Sequence, residues 1–215
     1  TYDLCVIFED KTGAGFQHQY FAKIISGIQS VAQKKGYEMT FSSRPDDAPF
    51  DYYTHIKSRS FDGVAILSAY VESEQIQELI KSEIPTVTLD YSLDDNHTAV
   101  ISDNKLGMKK LTEYVLSKGH RTIAVIHGED TLVTKERLGI FKSLMQENGI
   151  ETPSEYFMKA MYHDPIISQE ATNILLDLPE PPTCIFYPDD YAALGGIRAL
   201  NSRHRVRGKD ISIVG

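Results

Sequence analysis

Short apolar runs alternate with stretches in which apolar residues recur every three or four positions, almost from one end of the chain to the other. The first run is Leu4-Cys5-Val6-Ile7-Phe8. After a loop containing Gly13 and Gly15, Phe21, Ile24, Ile25, Ile28, Val31 and Ala32 recur at helical spacing. Lys34-Lys35-Gly36 then supplies last-turn cations and a glycine just beyond them, which is a helix stop. Glu38 to Phe41 reads as the next strand. A polar stretch precedes a short helix around Tyr53 and Ile56, and Gly63 to Leu67 is a third strand. Ile76, Leu79 and Ile80 mark a helix, Pro85 to Leu89 a strand, and Thr98 to Ile101 another strand with no helix between.

The rhythm then restarts. Leu111, Tyr114 and Val115 predict a helix ending at Lys118-Gly119, followed by a strand over Ile123 to Ile126. Leu138, Phe141, Leu144 and Met145 predict a helix ending at Gly149. A strand over Phe157 to Met161, a helix through Ala171, Ile174, Leu175 and Leu178, and a strand from Thr183 to Phe186 follow. A helix through Leu194, Ile197 and Leu200 and a strand at Ile211 to Val214 close the pattern. Strands alternating with helices predict an α/β protein whose parallel sheets carry helices on both faces. The two successive strands before Asp103 place a boundary there, giving one lobe at 1–102 and a second at 103–215.

Composition narrows the function classes. At 215 residues, 41% hydrophobic and 24% charged, the chain is an ordinary globular protein, long enough for two compact lobes or one large α/β unit and with enough apolar residues for a sizeable core. Its formal charge is −8, from 22 Lys and Arg against 30 Asp and Glu. A nucleic-acid module needs a basic face, and the nearest approach, Arg203-His204-Arg205 with Arg207, reads as a solvated helix end, where cations are favoured. Cys5 and Cys184 each lie inside an apolar run and read as small core residues. With no CxxC they indicate neither a disulfide framework nor a zinc site, and the expected compartment is the cytoplasm. No apolar stretch approaches the length of a membrane span, and Thr1-Tyr2-Asp3 leads straight into a strand rather than a signal peptide. The start at Thr1, without Met, points to a segment upstream.

Candidate chemistry collects after the strands. In open parallel sheets ligands bind outside the carboxyl ends of the strands. Those ends carry Glu9 and Asp10, Ser68 and Tyr70, Asp90 and Tyr91, Asp103 and Asn104, His127 and Glu129, Tyr162, His163 and Asp164, and Asp189 and Asp190. Carboxylates and amides beside aromatic rings suit a neutral polyhydroxylated ligand such as a sugar, although solvated loops also explain polar strand ends. Arg137 falls in the first turn of its helix if Thr134 is the N-cap, where a cation opposes the helix dipole. It therefore needs a partner: Glu136, Glu129 or a ligand oxygen. Catalysis finds little support. Gly13-Ala14-Gly15 opens like a dinucleotide fingerprint but His18 stands at the third glycine position. No G-x-S-x-G elbow occurs, and Asp46-Asp47, Asp94-Asp95 and Asp189-Asp190 read as solvated faces or caps rather than metal ligands. No cofactor or metal is expected.

Several segments in order resemble LacI/GalR-type bacterial transcriptional regulators. Gly119-His120-Arg121-Thr122-Ile123-Ala124-Val125-Ile126-His127-Gly128 is similar to their GH-x-x-I-x-x-(I/L)-x-G segment, and Arg137-Leu138-Gly139-Ile140-Phe141 to their R-x-x-G-F, shifted here to R-L-G-I-F. Phe61-Asp62-Gly63-Val64-Ala65-Ile66 resembles their V-D-G strand, and Asp103-Asn104 their D-N at the lobe crossover. Cys184 to Gly195 parallels a-I-F-x-x-N-D-x-x-A-x-G, and Asp210 to Gly215 the run before their G-(Y/F)-D. The resemblance covers essentially the whole chain.

It implies a two-lobed, periplasmic-binding-protein-like (type I) effector-binding core, with a small-molecule effector, most readily a sugar, held between the lobes. It also implies a homodimer, and operator DNA bound only through a headpiece that this chain does not contain. The effector-clamping arginine falls on Arg137, the aromatic pair after the first strand on Tyr20 and Phe21, the crossover aspartate on Asp103, and a later aromatic on Tyr162 or His163. Phe21 also fits the apolar stripe of its helix, and Asp103 could equally be a cap. Pro188 stands where many members have Asn, Ser or Gly, so its contact is expected to be lost or moved to Asp189. Phe16, in the long loop from Asp10 to Gln19, is a candidate lid or stacking face. The sequence stops before the segment expected to return to the first lobe, so the C-terminal part of the core is expected to be missing. The rival reading is an extracytoplasmic sugar-binding protein of a transport system. One cation among several carboxylates argues against a highly charged phosphate, and a purine stacked on Tyr20, Phe16 and Tyr162 remains open.

Overall fold

A run such as Leu4–Phe8, apolar at every position, can be a strand only if both of its faces are buried. In the computed structural model it lies inside a parallel sheet with two neighbours. The structure describes residues 2–9, 19–42, 50–71, 73–93 and 97–215. The candidate Phe16 lies outside the described residues, as do Asp10, Asp46-Asp47 and Asp94-Asp95.

The chain divides into two compact units, Thr1–Ser102 and Asp103–Gly215. The first runs β1 (Tyr2–Phe8), α1 (Gln19–Lys34), β2 (Tyr37–Ser42), α2 (Tyr52–Ser58), β3 (Gly63–Ser68), α3 (Glu74–Lys81), β4 (Thr86–Leu89) and β5 (Thr98–Val100). Its sheet has the order β2-β1-β3-β4-β5, parallel throughout. The second runs α4 (Asn104–Ser117), β6 (Ile123–His127), α5 (Leu132–Glu147), β7 (Phe157–Lys159), α6 (Pro165–Leu176), β8 (Cys184–Phe186), α7 (Asp190–Ser202) and β9 (Ser212–Val214). Its sheet order is β7-β6-β8-β9, again parallel. Each sheet therefore starts in the middle, winds outward one way, then crosses back and winds the other way.

Alternation along the central strands feeds two cores per unit. Cys5 and Ile7 of β1 pack with Tyr52, Ile56, Ile76 and Leu79 from α2 and α3. Val6 and Phe8 face the other way, onto Phe21, Ile24, Ile25 and Ile28 of α1. In the second unit Ile123, Val125, Cys184 and Phe186 meet Val115, Phe141 and Met145 of α4 and α5. Ala124, Ile126 and Ile185 meet Ala171, Leu175, Ala192 and Leu200 of α6 and α7.

Local signals end the helices where the sequence places them. Gly36 and Gly119 sit at φ +81° and +91°, the left-handed conformation in which glycine carries no Cβ penalty. Two expectations are corrected. The N-cap of α5 is Thr131, whose Oγ1 accepts from the Thr134 N–H at 3.2 Å, so Arg137 lies in the second turn rather than the first. The strand expected through Met161 ends at Lys159. Arg203 caps α7 and forks onto Asp177, holding that carboxyl below the usual carboxylate range. No helix among the described residues is long and apolar enough to cross a membrane.

Two outcomes test this packing. Gly195 lies where a Cβ would come within 2.0 Å of the Pro165 carbonyl oxygen. Gly195→Ala is therefore expected to destabilise by about 1–3 kcal/mol through overpacking, despite alanine's better helix propensity, and to lower Tm by several degrees in a thermal melt. The Cys5 and Cys184 thiols are buried, and burial pushes both up to about 12. A thiol-titrating disulfide reagent should thus find neither reactive at pH 8 until the protein is unfolded.

Candidate functional site

In a doubly wound sheet the loops diverge where the strand order reverses, and that crevice at the carboxyl ends is where ligands bind. In the second unit the reversal lies between β6 and β8. The loop after β6 brings Gly128 and Glu129, the loop after β8 brings Pro188 and Asp189, and α4 and α5 flank them.

Arg137 reaches this point from the second turn of α5. Its Nε donates to Asn104 Oδ1 at 2.9 Å and its Nη1 to the Pro188 carbonyl at 3.2 Å. Both acceptors are neutral. The acidic neighbours that the sequence offered are engaged elsewhere: Glu136 lies 3.8 Å from Lys105 Nζ, and Glu129 Oε2 accepts the Tyr162 backbone N–H at 2.9 Å. Among the described residues Arg137 has no carboxylate partner, and it is only partly exposed. A half-buried guanidinium with uncommitted N–H groups and no counter-charge is the electrostatically unfinished element of this unit. Pro188 contributes a backbone carbonyl acceptor to Arg137.

The carboxylates around it are committed to the backbone. Asp103 caps α4, accepting from Leu106 N–H at 2.9 Å. Asp189 caps α7 through Oδ1, accepting from Ala192 N–H at 2.8 Å, while its Oδ2 takes the His163 N–H at 2.9 Å. That second bond helps to hold His163 at φ +55°, unusual for a residue with a side chain. Tyr162 is a brace. A Cβ on Gly128 would lie 2.3 Å from its ring, so the ring rests directly on that glycine. Its hydroxyl is 2.9 Å from Thr134 Oγ1 in the first turn of α5. Glu129, Gly128, Thr134 and Tyr162 thereby tie the loop after β7 to the start of the helix that carries Arg137.

The first unit has its own reversal, between β1 and β3. Glu9 lies there, with Oε1 accepting the Tyr52 hydroxyl at 2.7 Å and Oε2 accepting the Tyr70 N–H at 3.0 Å. Tyr20, 40% exposed, donates its hydroxyl to Asp90 Oδ2 at 3.0 Å. Phe21 is turned inward and packs edge-on against Phe8 with ring centroids 5.0 Å apart. Of the sequence candidates, Asp103, Arg137, Tyr162 and Asp189 share one edge of the second unit. Tyr20 stands at the same edge of the first unit, and Phe21 belongs to the core. The residue missing from that set is Asn104. It was visible only as half of a D-N pair, yet it is 92% buried and directly bonded to Arg137. Among the described residues no group of three or more His, Cys, Asp or Glu side chains is arranged to hold a metal.

Residues 1–214 match the family model described as periplasmic binding proteins and sugar binding domain of the LacI family. Over 204 residues the chain is 29% identical to the HTH-type transcriptional repressor ExuR of Bacillus subtilis (strain 168), covering 94% of this chain and 60% of that protein. It is 27% identical over 201 residues to the HTH-type transcriptional repressor PurR of Pasteurella multocida (strain Pm70), covering 91% and 60%. A solved structure of a LacI transcriptional regulator from Bacillus cereus subsp. cytotoxis NVH 391-98 superposes with a TM-score of 0.87 at 29% identity, covering 99% of this chain and 77% of that one. The chain spans about 60% of the length of the curated relatives it matches.

The brace makes a stability prediction. Tyr162→Phe deletes the hydroxyl and its bond to Thr134 but keeps the ring on Gly128. Thr134 Oγ1 retains a 3.2 Å contact with Thr131 Oγ1. A loss of about 1 kcal/mol is expected in denaturant unfolding, with an unchanged m-value.

Proposed function

The chain belongs to the family of periplasmic binding proteins and LacI-type sugar-binding domains, and from that premise we propose that it is the effector-sensing core of a bacterial transcriptional regulator. The effector is a small polar molecule, a sugar, whose binding modulates how a helix-turn-helix headpiece outside this chain engages operator DNA. The protein works as a homodimer in the cytoplasm and is a sensor rather than an enzyme. The relatives named as repressors support a regulator over a transport protein.

One observation carries the reading. Arg137 is a half-buried cation fixed by two neutral acceptors, at the reversal point of its sheet, with hydrogen-bond donors left over. A ligand oxygen completes that arrangement. The neighbouring carboxylates, bound up as helix caps and loop ties, serve to hold the edge in shape. The second unit thus supplies a preorganised donor, which reduces the ordering cost of binding. Tyr20, at the corresponding edge of the first unit, is a 40% exposed aromatic, a residue type that packs against sugars.

The test is a thermal-shift screen of monosaccharides, disaccharides, sugar phosphates and purines against the intact protein, read by dye or calorimetry. A ligand at about 100 times its Kd adds roughly 2.7 kcal/mol, several degrees for a protein of this size. Arg137→Ala should keep a cooperative melt and lower affinity for the active compound by on the order of 100-fold or more. Unchanged affinity in that variant contradicts the assignment.

A further inference from the structure

Asn104 is the first residue of α4 and one of the few polar side chains that the second unit buries, at 8% exposure. A guanidinium can only donate, so the bond from Arg137 Nε fixes which end of the Asn104 carboxamide faces it: the oxygen. The amide nitrogen is therefore turned away from Arg137. It has no hydrogen-bond partner among the described residues, and it does not belong to the fully enclosed polar atoms that lack one. Arg137 Nη2 also donates to nothing among the described residues. Two donor groups, coupled through a single carboxamide oxygen, are thus left open at the reversal of the sheet. Asp103, Asp189 and Glu129, the carboxylates of this edge, each accept backbone N–H groups instead.

We propose that Asn104 is a second effector-contacting residue and that, together with Arg137, it selects a sugar bearing a carboxylate. This rests on the reading of the Arg137 edge as the effector site. A neutral hydroxyl can occupy one of these donors, but it leaves the guanidinium without a counter-charge in a partly desolvated place. A carboxylate meets both donors and supplies the charge, and charge-assisted hydrogen bonds are roughly twice as strong as neutral ones. A single negative charge also suits an edge that already carries several carboxylates better than a phosphate dianion does.

The experiment uses matched pairs that differ only in a carboxylate in place of the terminal hydroxymethyl: glucose with glucuronate, galactose with galacturonate and mannose with mannuronate. These are titrated calorimetrically into the intact wild-type protein and into Asn104→Asp. The substitution is nearly isosteric, places an anion in the first turn of a helix, where it is favoured, and hands Arg137 an internal carboxylate. It should melt at or above the wild-type temperature while losing the uronate by on the order of 30-fold or more, and one uronate should bind wild type at least about tenfold tighter than its parent hexose. A hexose that binds as tightly as its uronate, or a uronate held equally by Asn104→Asp, overturns this inference and leaves the effector-site reading standing, provided that binding still falls in Arg137→Ala. If neither these six sugars nor the wider screen yields a ligand whose binding depends on Arg137, the underlying reading fails as well.

Discussion

Parallel strands cannot pair without a crossover between them, and a sheet so built must have both faces covered. That constraint organises each unit. It forces helices onto both sides of β1 and β6, and wherever a helix follows a strand it puts the strand's carboxyl end beside the start of that helix. Where the winding direction reverses, two such loops part and leave a crevice that no crossover fills. In the second unit that crevice lies at His127–Glu129 and Tyr187–Asp189, and the polar groups collected there have work to do in holding it open.

Most of that work is local. Asp103, Thr131, Asp164 and Asp189 cap four successive helices with side-chain oxygens, each taking N–H groups that would otherwise be unsatisfied. The caps rigidify the loops, and Tyr162 resting on Gly128 ties two of them together. Beside these committed carboxylates Arg137 and Asn104 stand out at this edge, because each still has donors uncommitted among the described residues. On the proposed reading a ligand completes those donors while the caps keep the edge in place.

How much of this could be read from residues alone follows from the range of the interaction concerned. Lys34-Lys35-Gly36 announces a helix end because cap, cation and glycine are adjacent in the chain. The unbroken run at β1 announces burial on both faces for the same reason. Tyr20 off the apolar stripe and Phe21 on it also sort correctly, since helical periodicity decides which side faces the sheet. The start of α5 was displaced by three residues because Thr131 and Thr134 are the same residue type, and only the fold decides which one caps. Tyr162 looked like a free aromatic face because nothing in the sequence links it to Gly128, 34 positions earlier. Asn104 is the instructive omission. Its burial and its bond to Arg137 depend on α4 and α5 lying side by side, a fact of packing that no local pattern encodes.

A small molecule that binds at the carboxyl edge of the second unit and completes Arg137 must shield the backbone around it. Hydrogen–deuterium exchange of the intact protein, with and without a compound that raises its melting temperature, tests this most directly. The expected result is ligand-dependent protection concentrated in the first turns of α4 and α5 and in the loops at 127–131 and 187–190, with the opposite ends of the strands unchanged. Protection centred instead on the segments that precede the strands, at 118–122 and 203–211, with none around Arg137, would contradict it.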